Sequence, residues 1–524
     1  MDSPLQFWTW LFFAIYTGIM LVCGVVGMRR IRDSDDFATA RNSYGPLFLA
    51  LAMTATTASG GTFLGLPGIL YTWGLSGIWF TTVYPIGVYL GVLLCMKAVS
   101  QTGRAMGSRS IPEFLGDRYQ SDTLRVMVSL FSLMLLFYLA GQLLGGIVMF
   151  QTMLGVSPLW ALGISTIILL IYVVIGGAHA DILTDGLQGA LMLILSVTIG
   201  ILFLCGYGVE GGFTGMLAAI EKLDTKTVQP LNESSPILNS WWAIFSLLMA
   251  HVPLGLLPHI GNKLWALKDG ASRMKFISLA FLFGLLLPLI GWGGILCRAI
   301  VGDEILSTDN RAIPILFAQI FPPWLAAMAG AGILAAVMST ADGLVVSSSQ
   351  IFANDIYRLT YAPRHHAHLS AEQIDRISLT ISRVATVGVL LAALALAWKL
   401  QDRNIALLIW IGIGGMMAAL AGPMILGILW PGVTRWGALA GFLTGAVVFA
   451  VLKAGVISTS SFGEGHLNEI AAWLGSQHDN PYACATLGEF ASLAVTVVVS
   501  WFSSSGPVAT DGSLSCTDRA PLDS

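Results

Sequence analysis

The sequence predicts an all-α integral membrane protein with about thirteen transmembrane helices. Of its 524 residues, 56% are hydrophobic and only 10% are charged, whereas a soluble domain carries about 25% charged residues. About thirteen apolar stretches reach the roughly 20 residues that a helix needs to cross a bilayer. Two of these stretches, five places apart in the series, are interrupted by Gly and Pro. Lipid is therefore the predicted solvent of most of the chain.

The apolar stretches follow one another with short polar connections. They lie near residues 6–28, 46–72, 77–101, 124–150, 156–177, 187–206, 239–261, 274–300, 322–351, 378–400, 405–430, 434–455 and 483–504. The first is preceded by Met1 and Asp2 rather than by basic residues, and it is too long for a signal-peptide core. We therefore expect it to be a permanent helix.

Lys and Arg are distributed unevenly between the predicted loops. With the N-terminus outside, 19 of the 26 Lys and Arg residues, Lys263 among them, fall on inner loops or inner helix ends, and seven fall on the outer side. Short basic loops are retained on the cytoplasmic side of a membrane. We expect a multi-pass protein of the plasma membrane with its N-terminus outside and its C-terminus in the cytoplasm.

Charge, cysteine content and motifs exclude several classes of function. The formal net charge of -3 and the lack of a basic cluster interleaved with aromatics argue against a nucleic-acid partner. The six cysteines are scattered without a C-x-x-C pair, so neither a zinc site nor a disulfide framework is predicted. The chain has no H-E-x-x-H motif and no serine elbow, so we expect no enzyme and no organic cofactor. Gly-x-x-x-Gly spacings are too common here to predict an oligomeric state.

The second and seventh segments are interrupted where a membrane helix should be continuous. The second contains residues 56–62 (TTASGGT) and 65–68 (GLPG), and the seventh contains residues 251–255 (HVPLG) and 258–259 (PH). In lipid every backbone N–H and C=O must be paired, so such a break indicates a cavity lined by protein. For either segment alone, a kink or a close-packing site explains the Gly and Pro equally well.

The matching positions of the two breaks divide the chain into two groups of five segments. Segments 2 to 6 and 7 to 11, about residues 46–206 and 239–430, would be the halves of an inverted-repeat core, as in secondary transporters. The first segment and the last two are then additions. The predicted divisions are an N-terminal helix and inner loop (1–45), the transport core (46–430), two C-terminal helices (431–504) and a disordered cytoplasmic tail (505–524).

The ninth segment contains the run GILAAVMSTADGLVVSSS at residues 332–349. Ser339 and Thr340 lie at mid-membrane beside Ala335 and Ala336, so two hydroxyls and a backbone carbonyl can converge on a hard monovalent cation. Ser and Thr in membrane helices also bond to their own helix or to a neighbour, and the spacing leaves both explanations open. Asp342 lies on the same face of the helix, where it could support the ion site or partner a neighbouring helix.

Together with residues 354–358 (NDIYR), this run resembles the signature of the sodium:solute symporter family. Further similar motifs follow in order over about residues 36–441: Asp36 to Arg41, Ile111 to Leu115 with Arg118 and Tyr119, Gly176 and Gly177 with Thr184, Asp185 and Gln188, Ala421 to Pro423, Trp430, and Thr434 to Gly441. The resemblance implies a LeuT-like core and the sodium-coupled import of a small organic solute by alternating access. A transporter-like membrane sensor and a sodium-permeable channel are the alternatives.

The resemblance also implies a sodium ion between the second and ninth segments. Its ligands would be the carbonyls of Ala55, Ala58 and Ala336 and the hydroxyls of Ser339 and Thr340, and Asp185 matches a family aspartate implicated in sodium coupling. Two positions depart from the family pattern. Thr57 stands where the proline transporters carry an aspartate, and Asp181 stands where the family usually has an apolar residue.

The solute is expected beside the ion. The predicted lining residues are Ser59, Gly60, Gly61, Tyr138, Gln142 and His251. His251 is an ionisable residue inside the membrane, for which function is the default hypothesis, although a neutral packing histidine explains it equally well. An exposed helix N-terminus at the break favours a carboxylate. The predicted solute is therefore a small carboxylate such as pantothenate, another monocarboxylate or an amino acid, and the pattern most resembles the pantothenate branch of the family.

Overall fold

The computed structural model describes residues 4–31, 34–268, 272–400, 403–457 and 465–503. Within these ranges the chain is helical and forms no β-strand. Its helices, in chain order, are α1 (Pro4–Met28), α2 (Ser34–Thr39), α3 (Pro46–Thr57), α4 (Leu66–Trp73), α5 (Ile78–Met106), α6 (Ile111–Tyr119), α7 (Asp122–Phe131), α8 (Leu135–Leu154), α9 (Pro158–Cys205), α10 (Gly212–Leu223), α11 (Trp241–Ala250), α12 (Pro258–Gly261), α13 (Arg273–Leu286), α14 (Trp292–Val301), α15 (Ala312–Ile320), α16 (Pro323–Gln350), α17 (Ala362–His365), α18 (Ala371–Lys399), α19 (Ile405–Leu420), α20 (Gly427–Leu429), α21 (Arg435–Lys453), α22 (His466–Ser476) and α23 (Pro481–Phe502).

Ten helical stretches in the described ranges are long and apolar enough to cross a membrane, and the bent pair Trp241–Leu256 and Pro258–Trp265 makes eleven. Two glycines explain why the structure shows eleven candidate spans while the sequence predicts about thirteen. Gly74, with φ of 68°, separates α4 from α5 inside the stretch Gly61–Gln101, and Gly177, with φ of 51°, divides α9 into two segments. Only glycine adopts such backbone angles without steric cost. Divided there, the described helices give the thirteen predicted segments.

The start of the sixth segment differs between the sequence prediction and the structure, and this difference affects the candidate site. The sixth segment begins at Gly177 rather than near residue 187. Asp181 and Asp185 therefore lie within a helix rather than ahead of it, and both are buried. Two helices between predicted segments, α10 and α22, are not predicted from the sequence, because each is shorter than a membrane span. The predicted tail at 505–524 lies outside the described residues.

The ninth segment, α16, is the centre of the molecule. It packs against α1, α3, α8, α9 and α18, and almost every residue from Ala326 to Gln350 is buried. By contrast, α18 leaves Val384 and Leu391 exposed, as a helix facing lipid does. The small residues of α16 allow this close packing, because Ala and Gly let neighbouring helix backbones approach. Polar groups on α16 are therefore held against other helices rather than against lipid.

Candidate functional site

The second segment is broken between α3 and α4. Helix α3 ends at Thr57, Ala58 has non-helical angles (φ -91°, ψ 73°), and a π-helical stretch, Gly61–Gly65, leads into α4. Side chains pair the amides that the break releases. The N–H of Gly60 donates to Gln142 Oε1 at 2.8 Å, and that of Gly61 donates to Ser59 Oγ at 3.1 Å. The helix N-terminus at the break is therefore already capped, unlike the exposed one that the sequence led us to expect.

Oxygens of the predicted sodium ligands meet where α3 crosses α16. Ser339 Oγ lies 3.0 Å from the carbonyl oxygen of Ala55 and 3.1 Å from that of Ala336. Thr340 Oγ1 donates to the carbonyl oxygen of the adjacent Thr56 at 2.9 Å. All of these residues are buried. A hydroxyl keeps two lone pairs besides its hydrogen, so this donor set of carbonyl and hydroxyl oxygens fits a hard cation.

The remaining two predicted sodium residues lie at the edge of this cluster. Ala58 is at the break itself, one turn beyond Ala55. The carboxylate of Asp185 accepts from Thr56 Oγ1 at 2.6 Å and pairs with the ammonium of Lys263. Asp185 thus reaches the cluster through Thr56, whose carbonyl bonds Thr340 and whose hydroxyl bonds the carboxylate.

Lys263 is the functional residue that the sequence reasoning missed. The sequence predicts a basic residue at an inner helix end, whereas in the structure the side chain is only 3% exposed and its Nζ lies 3.0 Å from Asp181 Oδ2. It comes directly after the predicted seventh segment, residues 239–261, where a basic residue resembles an ordinary flanking lysine. The signal that could have found it was the group of acids at Asp181, Asp185 and Asp342, since buried charges need a partner.

A pocket opens beside the break. It is lined by Thr57, Ser59, Gly61, Thr62, Leu66, Phe80, Tyr84, Tyr138, His251, Leu254, Ala406, Ile409, Trp410 and Ile413. Four of the six predicted solute residues are in this lining, whereas Gly60 and Gln142 lie behind it, bonded to each other. The sequence predicts Tyr138 but not Phe80, Tyr84 or Trp410, because aromatic residues in an apolar segment are equally expected to face lipid. No lysine, arginine or carboxylate is among the described lining residues.

His251 presents a defined hydrogen-bonding edge. Its Nδ1 lies 2.6 Å from the carbonyl oxygen of Leu247, and because a carbonyl only accepts, Nδ1 carries the hydrogen. In the neutral ring Nε2 is then an acceptor. The rings of Trp410 and Tyr84 lie 4.6 and 5.2 Å from that of His251, and Tyr482 stacks on it at 5.6 Å. Packing therefore fixes the orientation of the imidazole.

A loop on the predicted outer side rests on the break. Asp309, between α14 and α15, accepts from Asn404 Nδ2 at 2.9 Å, and the same side-chain nitrogen lies 3.5 Å from the carbonyl oxygen of Gly65. Asn404 also caps α19 by accepting from the N–H of Ala406 at 3.0 Å. Burial raises the pKa of the Asp309 carboxyl above its ordinary value. The loop thus touches both the π-helical stretch and the helix that carries Ala406 and Trp410.

The chain is similar to transporters in sequence. The family model described as the sodium:solute symporter family matches residues 37–445. A sodium/pantothenate symporter of Escherichia coli is 28% identical over 426 residues, covering 80% of this chain and 84% of that protein. A sodium/proline symporter of Salmonella typhimurium is 29% identical over 464 residues, covering 84% and 87%.

Solved structures share the fold. A Na⁺-coupled sialic acid symporter in a substrate-bound, outward-open state superposes with a TM-score of 0.73 at 19% identity, covering 95% of this chain and 99% of that one. Mhp1, a nucleobase-cation-symport-1 family transporter, superposes with a TM-score of 0.52 at 13% identity, covering 89% and 94%. The predicted all-α, LeuT-like architecture is confirmed.

Proposed function

This chain belongs to the sodium:solute symporter family, and we propose that it imports a small carboxylate together with sodium by alternating access. Sodium-coupled symport of a small solute is its function, and sodium is its coupling ion. The observation that carries the proposal is the 3.0 Å approach of Ser339 Oγ to the carbonyl oxygen of Ala55. A cation held there would be shared by α16 and the interrupted second segment.

The proposed sodium ligands are the carbonyl oxygens of Ala55, Ala58 and Ala336 and the hydroxyls of Ser339 and Thr340. Asp185 then supports the site from outside, by holding the hydroxyl of Thr56. For a zwitterionic amino acid, one sodium ion falling through 100 mV yields about 2.3 kcal/mol, which corresponds to nearly fifty-fold accumulation of solute. For a carboxylate anion the two charges cancel, and the sodium concentration gradient supplies the driving force. Sodium entry can thus drive the uptake of a scarce nutrient.

The proposed solute is a carboxylate with an apolar part and a hydrogen-bond donor. The pantothenate and proline that name two relatives are both carboxylates. The pocket supplies hydroxyls from Thr57, Ser59 and Thr62 but no basic side chain among its described residues. Sodium beside Ser59 would balance the negative charge, so ion and solute would stabilise each other's binding. Leu66, Phe80 and Trp410 would contact the apolar part, and Nε2 of His251 would accept from the donor.

The proposed movement separates the two halves, about residues 46–206 and 239–430, around this site. We place the protein in the plasma membrane as a carrier rather than an enzyme, with its N-terminus outside and its C-terminus in the cytoplasm. Excluding the buried Lys263 still leaves 18 basic residues on the proposed inner side against seven outside. Modification of a C-terminal tag from the outside of intact cells would contradict this orientation.

Uptake in proteoliposomes tests the function. The purified chain is reconstituted and offered labelled pantothenate, lactate, proline and glucose, under an inward sodium gradient or an equal potassium gradient. We expect accumulation of one of the carboxylates above its external concentration with sodium only. Accumulation of glucose alone would contradict the solute class. A sodium current that needs no solute and far exceeds a carrier's turnover would indicate a channel instead.

A further inference from the structure

Lys263 lies within a cage of oxygens like that of a bound cation. Its Nζ is 3.0 Å from Asp181 Oδ2 and 2.6 Å from Thr56 Oγ1, and it contacts Asp185 Oδ2 directly. The side chains of Lys263, Asp181 and Asp185 are 3%, 6% and 0% exposed. Three elements supply these groups: α3, the second half of α9 and the inner end of the seventh segment.

The three acids nearby are spaced as metal ligands are. One carboxylate oxygen from each of Asp181, Asp185 and Asp342 lies within 4.8 Å of the others, and all three residues are buried. Asp342 is held by the hydroxyl of Thr184 at 3.1 Å. Without a cation among them, converging buried carboxylates repel one another strongly. In the described residues the ammonium of Lys263 is the cation that contacts two of them.

Several buried polar atoms around the ammonium of Lys263 have no partner among the described residues. These oxygens and nitrogens could therefore coordinate more than the ammonium alone. Oδ1 of Asp181 and Oδ1 of Asp185 have no hydrogen-bond partner among the described residues. Asp181 and Lys263 also line a small cavity together with His259, which is 1% exposed and has neither ring nitrogen bonded within the described ranges. Thr39, next to the predicted inner loop, belongs to the same lining. An ion in this cage would thus adjoin a polar cavity.

We propose that the ammonium of Lys263 permanently fills a second cation position, so that this chain carries one sodium ion per solute and gains a second sodium site when the amine is removed. The inference rests on the proposed function, because it takes the Ser339 cluster as the position of the one mobile ion. Thr56 connects the two positions through its carbonyl and its hydroxyl.

A tethered cation and a mobile one differ in what they do for transport. An ion that enters and leaves moves its charge across the membrane in every cycle, whereas a lysine side chain stays with the protein. Each additional charge moved raises the attainable accumulation by about fifty-fold at 100 mV. Filling the second position with Lys263 would therefore lower the attainable accumulation of solute. It would also keep the acids neutralised when sodium leaves.

Sodium binding to the purified full-length protein tests the inference. We expect radioactive sodium to bind wild type at one ion per chain and Lys263→Met at two. Adding Asp185→Asn to Lys263→Met removes a carboxylate from the vacated cage and should return the ratio to one. Lys263→Arg keeps a tethered charge and should stay at one. Sodium activation of uptake should change from hyperbolic in wild type to a Hill coefficient approaching 2 in Lys263→Met.

Two ions bound to wild type, or one ion bound to a folded Lys263→Met, would overturn the inference. No sodium bound to wild type would instead contradict the proposed sodium site itself. Folding of each variant is checked by gel filtration and thermal unfolding in sodium chloride. If Lys263→Met does not fold, Lys263→Gln, which removes the charge but keeps a polar side chain among the three carboxylates, should bind two ions. The ratio of charge to solute moved by wild type is an independent check, since one sodium ion per carboxylate anion moves no net charge, and one net positive charge per anion would require a second sodium ion.

Discussion

The hydroxyl of Ser339 on α16 lies 3.0 Å from the carbonyl oxygen of Ala55, the residue three positions before the break in the second segment. This contact joins a helix that is buried over almost all of its residues from Ala326 to Gln350 to a segment that is interrupted beside the proposed solute pocket. A cation bound between them would hold the two together, and its departure would allow them to separate. Binding of the proposed ion and the shape of the pocket would thereby be connected through the last turn of α3.

Gln142 stabilises the broken segment. Gln142→Leu leaves the buried N–H of Gly60 without its acceptor, which costs about 1–3 kcal/mol. We expect a lower unfolding temperature in detergent and slower uptake. Gln142→Glu keeps an acceptor oxygen at the same position and is the matched comparison. A Leu variant as stable as wild type would show that the amide finds another partner.

We expect His251 to determine the affinity for solute. His251→Phe keeps an aromatic ring against Trp410 but removes the acceptor at Nε2. We expect the KM for solute to rise about tenfold, which is the loss of one hydrogen bond of about 1.4 kcal/mol. The sodium concentration for half-maximal uptake should change little, because His251 is not among the proposed ion ligands.

Tyr482→Phe is the control for the histidine. Tyr482 stacks on the imidazole, and its hydroxyl has no partner among the described residues, so the substitution preserves the packing around His251. Its KM should match that of wild type. An equal rise of KM in both variants would mean that packing around the ring, rather than the acceptor, determines affinity.

The features that the sequence predicted are those that depend on local chemistry. A Gly and Pro pair in an apolar stretch breaks backbone pairing wherever the helix lies, so residues 56–68 and 251–259 could be identified as breaks. The hydroxyls at Ser339 and Thr340 were identified through their resemblance to a family signature. Their contacts with the carbonyls of Ala55 and Thr56 depend on how α3 and α16 cross, which no local pattern contains.

Partners across the fold were predicted least well. Lys263 was placed at an inner surface, because a lysine that follows a membrane segment usually extends to the interface. Its burial depends on Asp181 and Asp185, which are distant in sequence and were themselves placed outside the sixth segment. Gln142 was predicted to touch solute, whereas in the fold it caps Gly60. In both cases the sequence drew attention to a polar residue but did not show which group that residue contacts in the fold.

The loop that contains Asp309, between α14 and α15, should make the stability of the folded protein depend on pH. Burial raises the pKa of Asp309, so the folded protein keeps this proton at pH values where the unfolded chain has released it. Stability then falls as pH rises from the ordinary Asp value near 3.9 through the raised pKa. The side chain of Asp309→Asn cannot ionise. The loss of stability with rising pH that comes from Asp309 should therefore be absent in this variant.

Unfolding temperatures between pH 4 and 7 measure that effect. Glu221→Gln removes an exposed carboxylate from helix α10 and should follow the wild-type curve. If Asp309→Asn also follows the wild-type curve, the carboxyl of Asp309 does not contribute to the pH dependence of stability.

Solute uptake by the double variant Ser339→Ala/Thr340→Ala in proteoliposomes tests the central claim, that a sodium ion between α3 and α16 drives transport. Ser349→Ala, which removes another buried hydroxyl of α16, is the control. We predict that the double variant folds and takes up labelled solute equally slowly under sodium and potassium gradients, while the control keeps its sodium stimulation. Wild-type sodium stimulation in the double variant would contradict the account.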